Sequence, residues 1–255
     1  MTRVIKVGGR PQRDLSLPSA LATVHRLRPG SLVVVHGGGD EISTLQRRYG
    51  ALADFKSGRR VTSVLDLEII RMALSGSANK RLTSALVGEG IPALGLSGED
   101  AALLSATPLD PAQYGFVGVP ADVNVALLEH LLAGGYLPVV SPLSRCTDPE
   151  EGPTLNVNGD DAASAIAVAL EAEELLFVSD VAGVLVNGIP VPMLASDEAQ
   201  RLIDDGMAQG GMGAKLQAAL AALEGGVERV RISDIAAIEQ LDRGTVLTRV
   251  GSTCA

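Results

Sequence analysis

The stretch that decides the fold is Leu32-Val33-Val34-Val35-His36-Gly37-Gly38-Gly39, an aliphatic run that ends in three glycines. Consecutive aliphatic residues are typical of a strand that is buried on both faces, as in a parallel sheet. Glycines lack a Cβ, so their backbone N–H groups can approach an anion at the start of the next helix. The stretch predicts a strand, an anion-accepting turn and a helix from Asp40. Taken alone, it is equally compatible with an ordinary glycine-rich connection.

The same alternation of short apolar runs and amphipathic segments continues along the chain. The apolar runs predict strands at 4–9, 93–96, 137–140, 175–178, 229–232 and 245–248. Helical spacing predicts helices at 18–27, 64–89 with a break at Gly76, 123–133, from 160 to about 170, 196–205 and 216–223. Ser63 and Asp66 are spaced as a capping box, and two irregular stretches, 50–62 and 103–119, predict hairpins. This order predicts an α/β fold with a mainly parallel sheet and helices on both faces.

The amino-acid composition limits the kinds of molecule that the chain is expected to bind. The chain has 255 residues, 46% of them hydrophobic, a net charge of -9, no Trp and three each of Tyr and Phe. Such a charge argues against nucleic acid or an anionic membrane surface, and so few aromatic residues argue against a base-stacking platform. Two cysteines are too few for a disulfide framework and suit the reducing cytoplasm. We therefore expect a cytoplasmic protein, with neither signal peptide nor membrane span, that binds small molecules.

Three charged residues stand where strands end or helices begin. Lys6 precedes a glycine pair, Lys215 follows a glycine cluster ahead of the predicted helix 216–223, and Asp160 follows the polar run 156–159. Lysines, glycine turns and one carboxylate are the groups needed for phosphoryl transfer by positioning and charge neutralisation. A lysine that snorkels from a strand end to water is the alternative for Lys6.

Other familiar sites are missing from the sequence. It contains neither the P-loop nor the dinucleotide-binding glycine pattern, so a different nucleotide site is needed. None of the three histidines belongs to a spaced set of metal-ligating residues, and His36 is placed to anchor the glycine turn through hydrogen bonds. No nucleophile with an adjacent base stands out, and Cys146 beside Arg145 is a weak candidate.

Several separated motifs together resemble one family. In order along nearly the whole chain, the segments are 4–9, 34–39, 58–62, 74–80, 156–160, 179–185 and 211–215. They resemble the amino acid kinase family, in particular its members that act on N-acetyl-L-glutamate. Each motif is weak alone, but their shared order makes the resemblance specific.

The resemblance implies a three-layer αβα sandwich with a central, mainly parallel sheet, the fold shared with carbamate kinase. It implies one continuous structural domain with two lobes: residues 1–170 bind the acyl amino acid and form a dimer contact, and residues 171–255 bind ATP. The implied reaction transfers the γ-phosphoryl of ATP to the side-chain carboxylate of N-acetyl-L-glutamate, the second step of arginine biosynthesis. Mg²⁺ is expected to enter with ATP, without dedicated protein ligands.

The resemblance also implies roles for individual residues. Lys6 and Lys215 match the catalytic lysines that stabilise the transition state, and Asp160 matches the carboxylate that orients them. The residues matching the substrate site are Gly9, Gly38 and Gly39, as backbone donors around the phosphoryl group, and Arg60 and Asn156, which hold the α-carboxylate. The residues matching the ATP site are Asp180, Val181, Ala182, Gly183, Val184, Leu185, Met207, Ala208 and Gln209.

The chain departs from the family pattern at a few positions. Gly159 stands where relatives often carry Ala, and Asp40 where many carry Pro. The extra N-terminal helix that arginine-inhibited hexameric members use for assembly is missing, so a homodimer without arginine feedback is expected. The alternatives are a kinase of N-succinylglutamate or of carrier-protein-linked aminoadipate or glutamate, and, less favoured, a non-catalytic amino-acid or nucleotide-binding regulator.

Overall fold

A computed structural model describes residues 2–148, 150, 152–186, 188–208 and 210–249. The strands are β1 (Arg3–Val7), β2 (Leu32–His36), β3 (Phe55–Lys56), β4 (Arg59–Arg60), β5 (Ala93–Gly98), β6 (Leu104–Pro108), β7 (Val117–Val123), β8 (Leu137–Cys146), β9 (Thr154–Val157), β10 (Glu174–Val178), β11 (Leu185–Val186), β12 (Ile189–Pro190), β13 (Met193–Ala195), β14 (Arg229–Ser233) and β15 (Thr245–Thr248). The α-helices are α1 (Leu17–Leu27), α2 (Gly39–Arg48), α3 (Val64–Ile70), α4 (Asn79–Gly88), α5 (Pro111–Tyr114), α6 (Val125–Ala133), α7 (Gly159–Ala169), α8 (Ser196–Asp204) and α9 (Gly210–Glu224). Short 3-10 helices lie at Pro11–Arg13, Asp100–Ala102 and Ile235–Ile238.

One sheet of 11 strands runs through the molecule. Its order is β13-β15-β14-β10-β1-β2-β8-β6-β7-β9, and β5 pairs with β8 beside that path. The central pairs β10/β1, β1/β2 and β2/β8 are parallel, whereas β14/β15, β6/β7 and β8/β9 are antiparallel. The expected mainly parallel α/β sheet is therefore confirmed.

Helices cover both faces of this sheet, and β2 shows why its sequence is a continuous apolar run. Successive side chains of a strand point to opposite faces. Val33 and Val35 are fully buried in the cluster that includes residues of α7 and α9. Val34 is fully buried in a second cluster with residues of α1 and α4. Both faces of β2 are thus core, which confirms the three-layer αβα arrangement.

The long helical segment begins as predicted but continues differently. The Ser63 hydroxyl accepts a hydrogen bond from the Asp66 N–H, and the Asp66 carboxylate accepts one from the Ser63 N–H, which confirms the capping box. The expected break at Gly76 is wrong, because residues Arg71–Ala78 form a π-helical turn that joins α3 to α4 without interruption. The wider π-helical turn keeps the backbone hydrogen-bonded past Gly76. Such π-bulges are frequent near functional sites.

Other differences concern short strands and one helix start. The stretches 50–62 and 103–119 are hairpins as expected, built from β3–β4 and from β6 and β7. Helix α9 begins at Gly210, so Lys215 lies inside this helix and the expected start at residue 216 is wrong. A Cβ on Gly213 would lie 2.6 Å from the carbonyl oxygen of Ala208, so this glycine lets the preceding loop pack against the first turn. In the described part of the chain, no helix has the length and apolar character needed to cross a membrane.

Candidate active site

Two glycine turns meet at the carboxyl edge of the central strands. In the parallel pairing of β1 with β2, Val7 is the register partner of His36, so the turns that follow these two residues lie side by side. A Cβ on Gly9 would lie 3.3 Å from the backbone nitrogen of Gly39, and a Cβ on Gly38 would lie 2.5 Å from Cδ2 of Leu74. A side chain at Gly9 would press on the Gly39 backbone, and one at Gly38 would displace the end of Leu74, so the turns are closely packed. Ligands of open α/β sheets bind at this edge.

Beside the turns, one buried carboxylate lies between two buried ammonium groups. Nζ of Lys6 is 2.6 Å from Oδ1 of Asp160, and Nζ of Lys215 is 3.1 Å from both oxygens of that carboxylate. Asp160 is in the first turn of α7, where its N–H donates to the side chain of Asn158 at 2.7 Å. The helix start thus fixes the carboxylate, and the carboxylate fixes both lysines. The structure brings together all three residues that sequence predicted as the catalytic group.

The electrostatics of this cluster favour an anion. Burial alone would raise the pKa of Asp160, but the ammonium groups of Lys6 and Lys215 outweigh it and lower that pKa to about 2. Burial lowers the pKa of Lys215, and the charge of Asp160 opposes this effect. With both amines protonated, the cluster carries one positive charge beyond the carboxylate. A buried excess charge of this kind is stabilised by a bound anion such as a phosphate.

Arg60 and Asn156 line the same cleft. Arg60 is buried and donates hydrogen bonds to the Gly39 carbonyl at 3.1 Å, to the Ser43 hydroxyl at 2.9 Å and to the side-chain oxygen of Gln46. Its guanidinium also lies 4.6 Å from the centre of the Phe55 ring. Burial lowers the pKa of Arg60 from its usual range, and Asp66 opposes this effect. Four side chains or backbone groups therefore fix the arginine in place.

The cleft that these residues enclose measures about 450 Å³. Among the predicted site residues, it is lined by Lys6, Gly9, Gly38, Gly39, Arg60, Asn156 and Asp160. Apolar walls come from Phe55, Leu74, Val117 and Pro142. A volume of this order suits a small ligand. Positive side chains and apolar walls in one cleft suit a small ligand that has both anionic and aliphatic parts.

His36 anchors the glycine turn as a neutral imidazole. It is fully buried, and this burial lowers its pKa to about 4. Its Nδ1–H donates to the Gly37 carbonyl at 2.9 Å, so its Nε2 accepts a hydrogen bond from Asn79 at 3.1 Å. Asn79 also donates to the Val139 carbonyl at 2.8 Å. The anchoring role predicted for His36 is confirmed, whereas the part played by Asn79 was not predicted, although it lies in the motif 74–80.

The residues predicted for the nucleotide lie outside this cleft. Asp180 follows β10 and pairs with Arg10 at 2.8 Å, and its charge slightly opposes the lowering of the pKa of Lys215 by burial. A Cβ on Gly183 would lie 2.7 Å from Oγ1 of Thr245, which also accepts a hydrogen bond from the Val184 N–H at 2.8 Å. Met207 is exposed ahead of α9, and the predicted residue Gln209 lies outside the described residues. Lys215 bonds Asp160 at the cleft and carries a charge that interacts with Asp180.

Two residues of α2 that hold Arg60 at the cleft were not identified from the sequence. Gln46 and Ser43 lie on α2, which the sequence predicted only as a helix, and both bond Arg60. Gln46 is fully buried and also donates to Asp66 at 2.5 Å. The periodicity of α2 places residues 39, 42, 43 and 46 on one face, and that spacing was the available signal.

Comparisons with known proteins show the family to which this chain is similar. The sequence model of the amino acid kinase family matches residues 1–234. The chain is 44% identical over 248 residues to the acetylglutamate kinase of Chloroflexus aurantiacus, covering 96% of each chain. It is 42% identical over 233 residues to the acetylglutamate kinase of Geobacillus stearothermophilus, covering 91% of this chain and 89% of that one. The crystal structure of smu.665 from Streptococcus mutans UA159 superposes with a TM-score of 0.87 at 31% identity, covering 97% of this chain and 98% of that one.

Proposed function

The chain belongs to the amino acid kinase family, and on that premise we propose that it phosphorylates the side-chain carboxylate of N-acetyl-L-glutamate with ATP. The products are ADP and N-acetyl-L-glutamyl 5-phosphate, an intermediate of arginine biosynthesis. The observation that carries the proposal is the buried carboxylate of Asp160 between Lys6 and Lys215, beside two glycine turns and a cleft of about 450 Å³. Relatives named for this activity share 42% and 44% of their residues with the chain.

The chemistry requires charge neutralisation more than proton transfer. A glutamate side chain has an ordinary pKa of about 4.3, so the attacking carboxylate is already ionised at pH 7 and needs no general base. The barrier comes from bringing this anion close to the phosphates of ATP. Lys6 and Lys215 offset that repulsion on the two sides of the travelling phosphoryl group, and Asp160 keeps their ammonium groups in place.

We assign each remaining site residue to the phosphoryl group, to the acceptor or to ATP. We assign the N–H groups of Gly9, Gly38 and Gly39 to the phosphoryl group, because their turns adjoin Lys6. Arg60 and Asn156, which line the same cleft, are assigned to the α-carboxylate of the acceptor. Residues 180–185 and 207–209 are assigned to ATP. The division of labour is then an acceptor lobe of residues 1–170 and an ATP lobe of residues 171–255, joined through the β1–β10 pairing.

Mg²⁺ is proposed to arrive bound to the phosphates of ATP. Both oxygens of Asp160 already accept hydrogen bonds from lysines. Within the described ranges, no group of three or more His, Cys, Asp or Glu side chains could hold a metal ion. The donor set of the chain therefore suits a cation that brings its own phosphate ligands, which is the usual mode for Mg²⁺ in phosphoryl transfer. Its contribution is to neutralise charge on the nucleotide.

A homodimer in the cytoplasm is also proposed. Val64, Leu65 and Met72 are exposed apolar side chains on α3 and the π-helical turn that follows it. Clustered exposed apolar residues are typical of protein contacts, and Cys146, a buried free thiol, suits a reducing compartment. Sedimentation velocity should give twice the chain mass of 26.2 kDa, and Leu65→Glu should give the monomer. A monomeric wild type at micromolar concentration would refute the dimer.

The reaction is tested by coupled ADP release with a panel of acceptors. The panel contains N-acetyl-L-glutamate, N-succinyl-L-glutamate, L-aspartate and a control without acceptor. Turnover that requires N-acetyl-L-glutamate is expected. Preference for the succinyl compound would assign the chain to a related acceptor, and no turnover with any acceptor would refute the kinase assignment.

A further inference from the structure

Hairpin β3–β4 borders the cleft without being part of the central sheet. Its two strands pair with each other, and with no other strand in the described part of the chain. They are joined by Ser57 and Gly58, which both have positive φ, as in the tight turns that connect hairpins. A two-stranded hairpin is marginally stable by itself. Thr62, just beyond β4, exchanges backbone hydrogen bonds with Tyr114 and Phe116, and side-chain contacts of the hairpin add to this attachment.

Neighbouring residues of β4 anchor the hairpin in opposite directions. Arg60 reaches into the cleft wall on α2, as described above. Side chains alternate along a strand, so Arg59 points away from Arg60. Nη1 of Arg59 lies 2.6 Å from Oδ2 of Asp161 on α7, and the two side chains are only 23% and 17% exposed. Arg60 thus connects the hairpin to α2, and Arg59 connects it to α7.

The residue bound by Arg59 is the immediate neighbour of the carboxylate that orients the lysines. Asp160 and Asp161 are consecutive residues in the first turn of α7. Asp160 bonds Lys6 and Lys215, whereas Asp161 bonds Arg59. One helix turn therefore fixes both the lysines and the hairpin that carries Arg60. The tip of the hairpin also approaches α9, since a Cβ on Gly58 would lie 3.5 Å from the Gly210 carbonyl oxygen.

We propose that Arg59 and Asp161 are positioning residues of the acceptor site, whose ion pair holds hairpin β3–β4 closed against α7 so that Arg60 faces the acceptor. The link to the acceptor rests on the proposed function, whereas closure of the hairpin does not. A contact that positions a binding residue acts in the ground state and the transition state alike, so its loss raises KM and leaves kcat nearly unchanged.

A double-mutant cycle tests whether the two residues act as a unit. Arg59→Gln and Asp161→Asn should each raise the KM for N-acetyl-L-glutamate about tenfold, the loss expected for one hydrogen bond between charged groups. The double variant should show no further increase, and kcat should stay within about threefold of wild type in all three. Arg201→Gln, which breaks the exposed pair with Asp197 far along the chain, is the matched control and should change neither constant.

Two kinetic outcomes would overturn the proposal. If the KM of the double variant rose by the product of the two single increases, Arg59 and Asp161 would act separately. A loss of kcat of about 100-fold with unchanged KM would show instead that Arg59 acts on the transferring phosphoryl group itself.

Limited proteolysis tests the closure without relying on activity. Lys56 is exposed on β3 and lies beside Arg59 in the hairpin register. Asp161→Asn retains every trypsin site, so cleavage after Lys56 should become about tenfold faster if the hairpin opens, with an unchanged melting temperature. Arg59→Gln should show the same acceleration at Lys56. Unchanged cleavage in both variants overturns the proposal. If the wild type shows no turnover, the proposed function fails while this experiment still decides the hairpin contact.

Discussion

Replacing Asp160 with Asn removes the negative charge that Lys6 and Lys215 share while keeping the size of the side chain. The pKa of Asp160 is about 2, against an ordinary 3.8, although burial opposes ionisation. A pKa lowered by nearly two stabilises the ionised carboxylate in the folded chain by about 2 kcal/mol. The loss should exceed this value, because two buried ammonium groups then have no counterion. We expect the free energy of unfolding at pH 7 to fall by about 3 kcal/mol.

The same substitution should slow catalysis. Without the carboxylate, the two ammonium groups repel each other and leave the positions that they hold beside the glycine turns, so kcat should fall by about 100-fold. Asp161→Asn is the matched control, since it removes a neighbouring carboxylate that bonds Arg59 instead of the lysines. Urea unfolding measures the stability, and ADP release at saturating substrates measures kcat. If Asp160→Asn kept wild-type stability and wild-type kcat, the reasoning about the charge cluster would be refuted.

Three further predictions concern the same residues. Lys6→Ala and Lys215→Ala should each lower kcat by about 100-fold or more; near wild-type kcat in either variant would remove that lysine from the mechanism. Arg60→Ala should mainly raise the KM for the acceptor, because its contact is present in ground and transition states alike; initial-rate kinetics with an unchanged acceptor KM would contradict this. The lowered pKa of Asp160 means that its contribution to stability is present above about pH 4 and is lost as the pH falls towards 2. Urea unfolding at several pH values should therefore show the stability difference between wild type and Asp160→Asn shrinking over that range, and a constant difference would refute the assignment.

The sheet could be predicted because its central strands can be recognised from their own sequences. A parallel strand covered on both faces has to be apolar at every position, and Val33, Val34 and Val35 satisfy this with all three side chains fully buried. The glycine turns were also visible, because consecutive glycines after an apolar run indicate a turn whose backbone can approach a ligand. The motifs then gave the order of the site residues along the chain. The fold class follows from these local features, whereas the grouping of Lys6, Asp160 and Lys215 was expected from the resemblance to the family.

The elements that could not be predicted depend on contacts distant in sequence. Strands β11, β12 and β13 have two or three residues, too few to show a period. The π-helical turn at Arg71–Ala78 depends on how α3 and α4 pack, since a lone glycine in a helical pattern suggests a break. Arg59 and Asp161 are 102 positions apart. Each alone resembles a solvated surface charge, and only the folded chain shows that they meet beside Asp160.

Trapping the product tests most directly whether the cluster at Asp160 transfers a phosphoryl group to a carboxylate. An acyl phosphate reacts with hydroxylamine to give a stable hydroxamate, which mass spectrometry identifies. With ATP, Mg²⁺, N-acetyl-L-glutamate and hydroxylamine, the wild type is expected to form one hydroxamate at the 5-carboxyl position for each ADP released. Lys215→Ala should lower that rate by about 100-fold. ADP release with inorganic phosphate and no hydroxamate would contradict carboxylate phosphorylation.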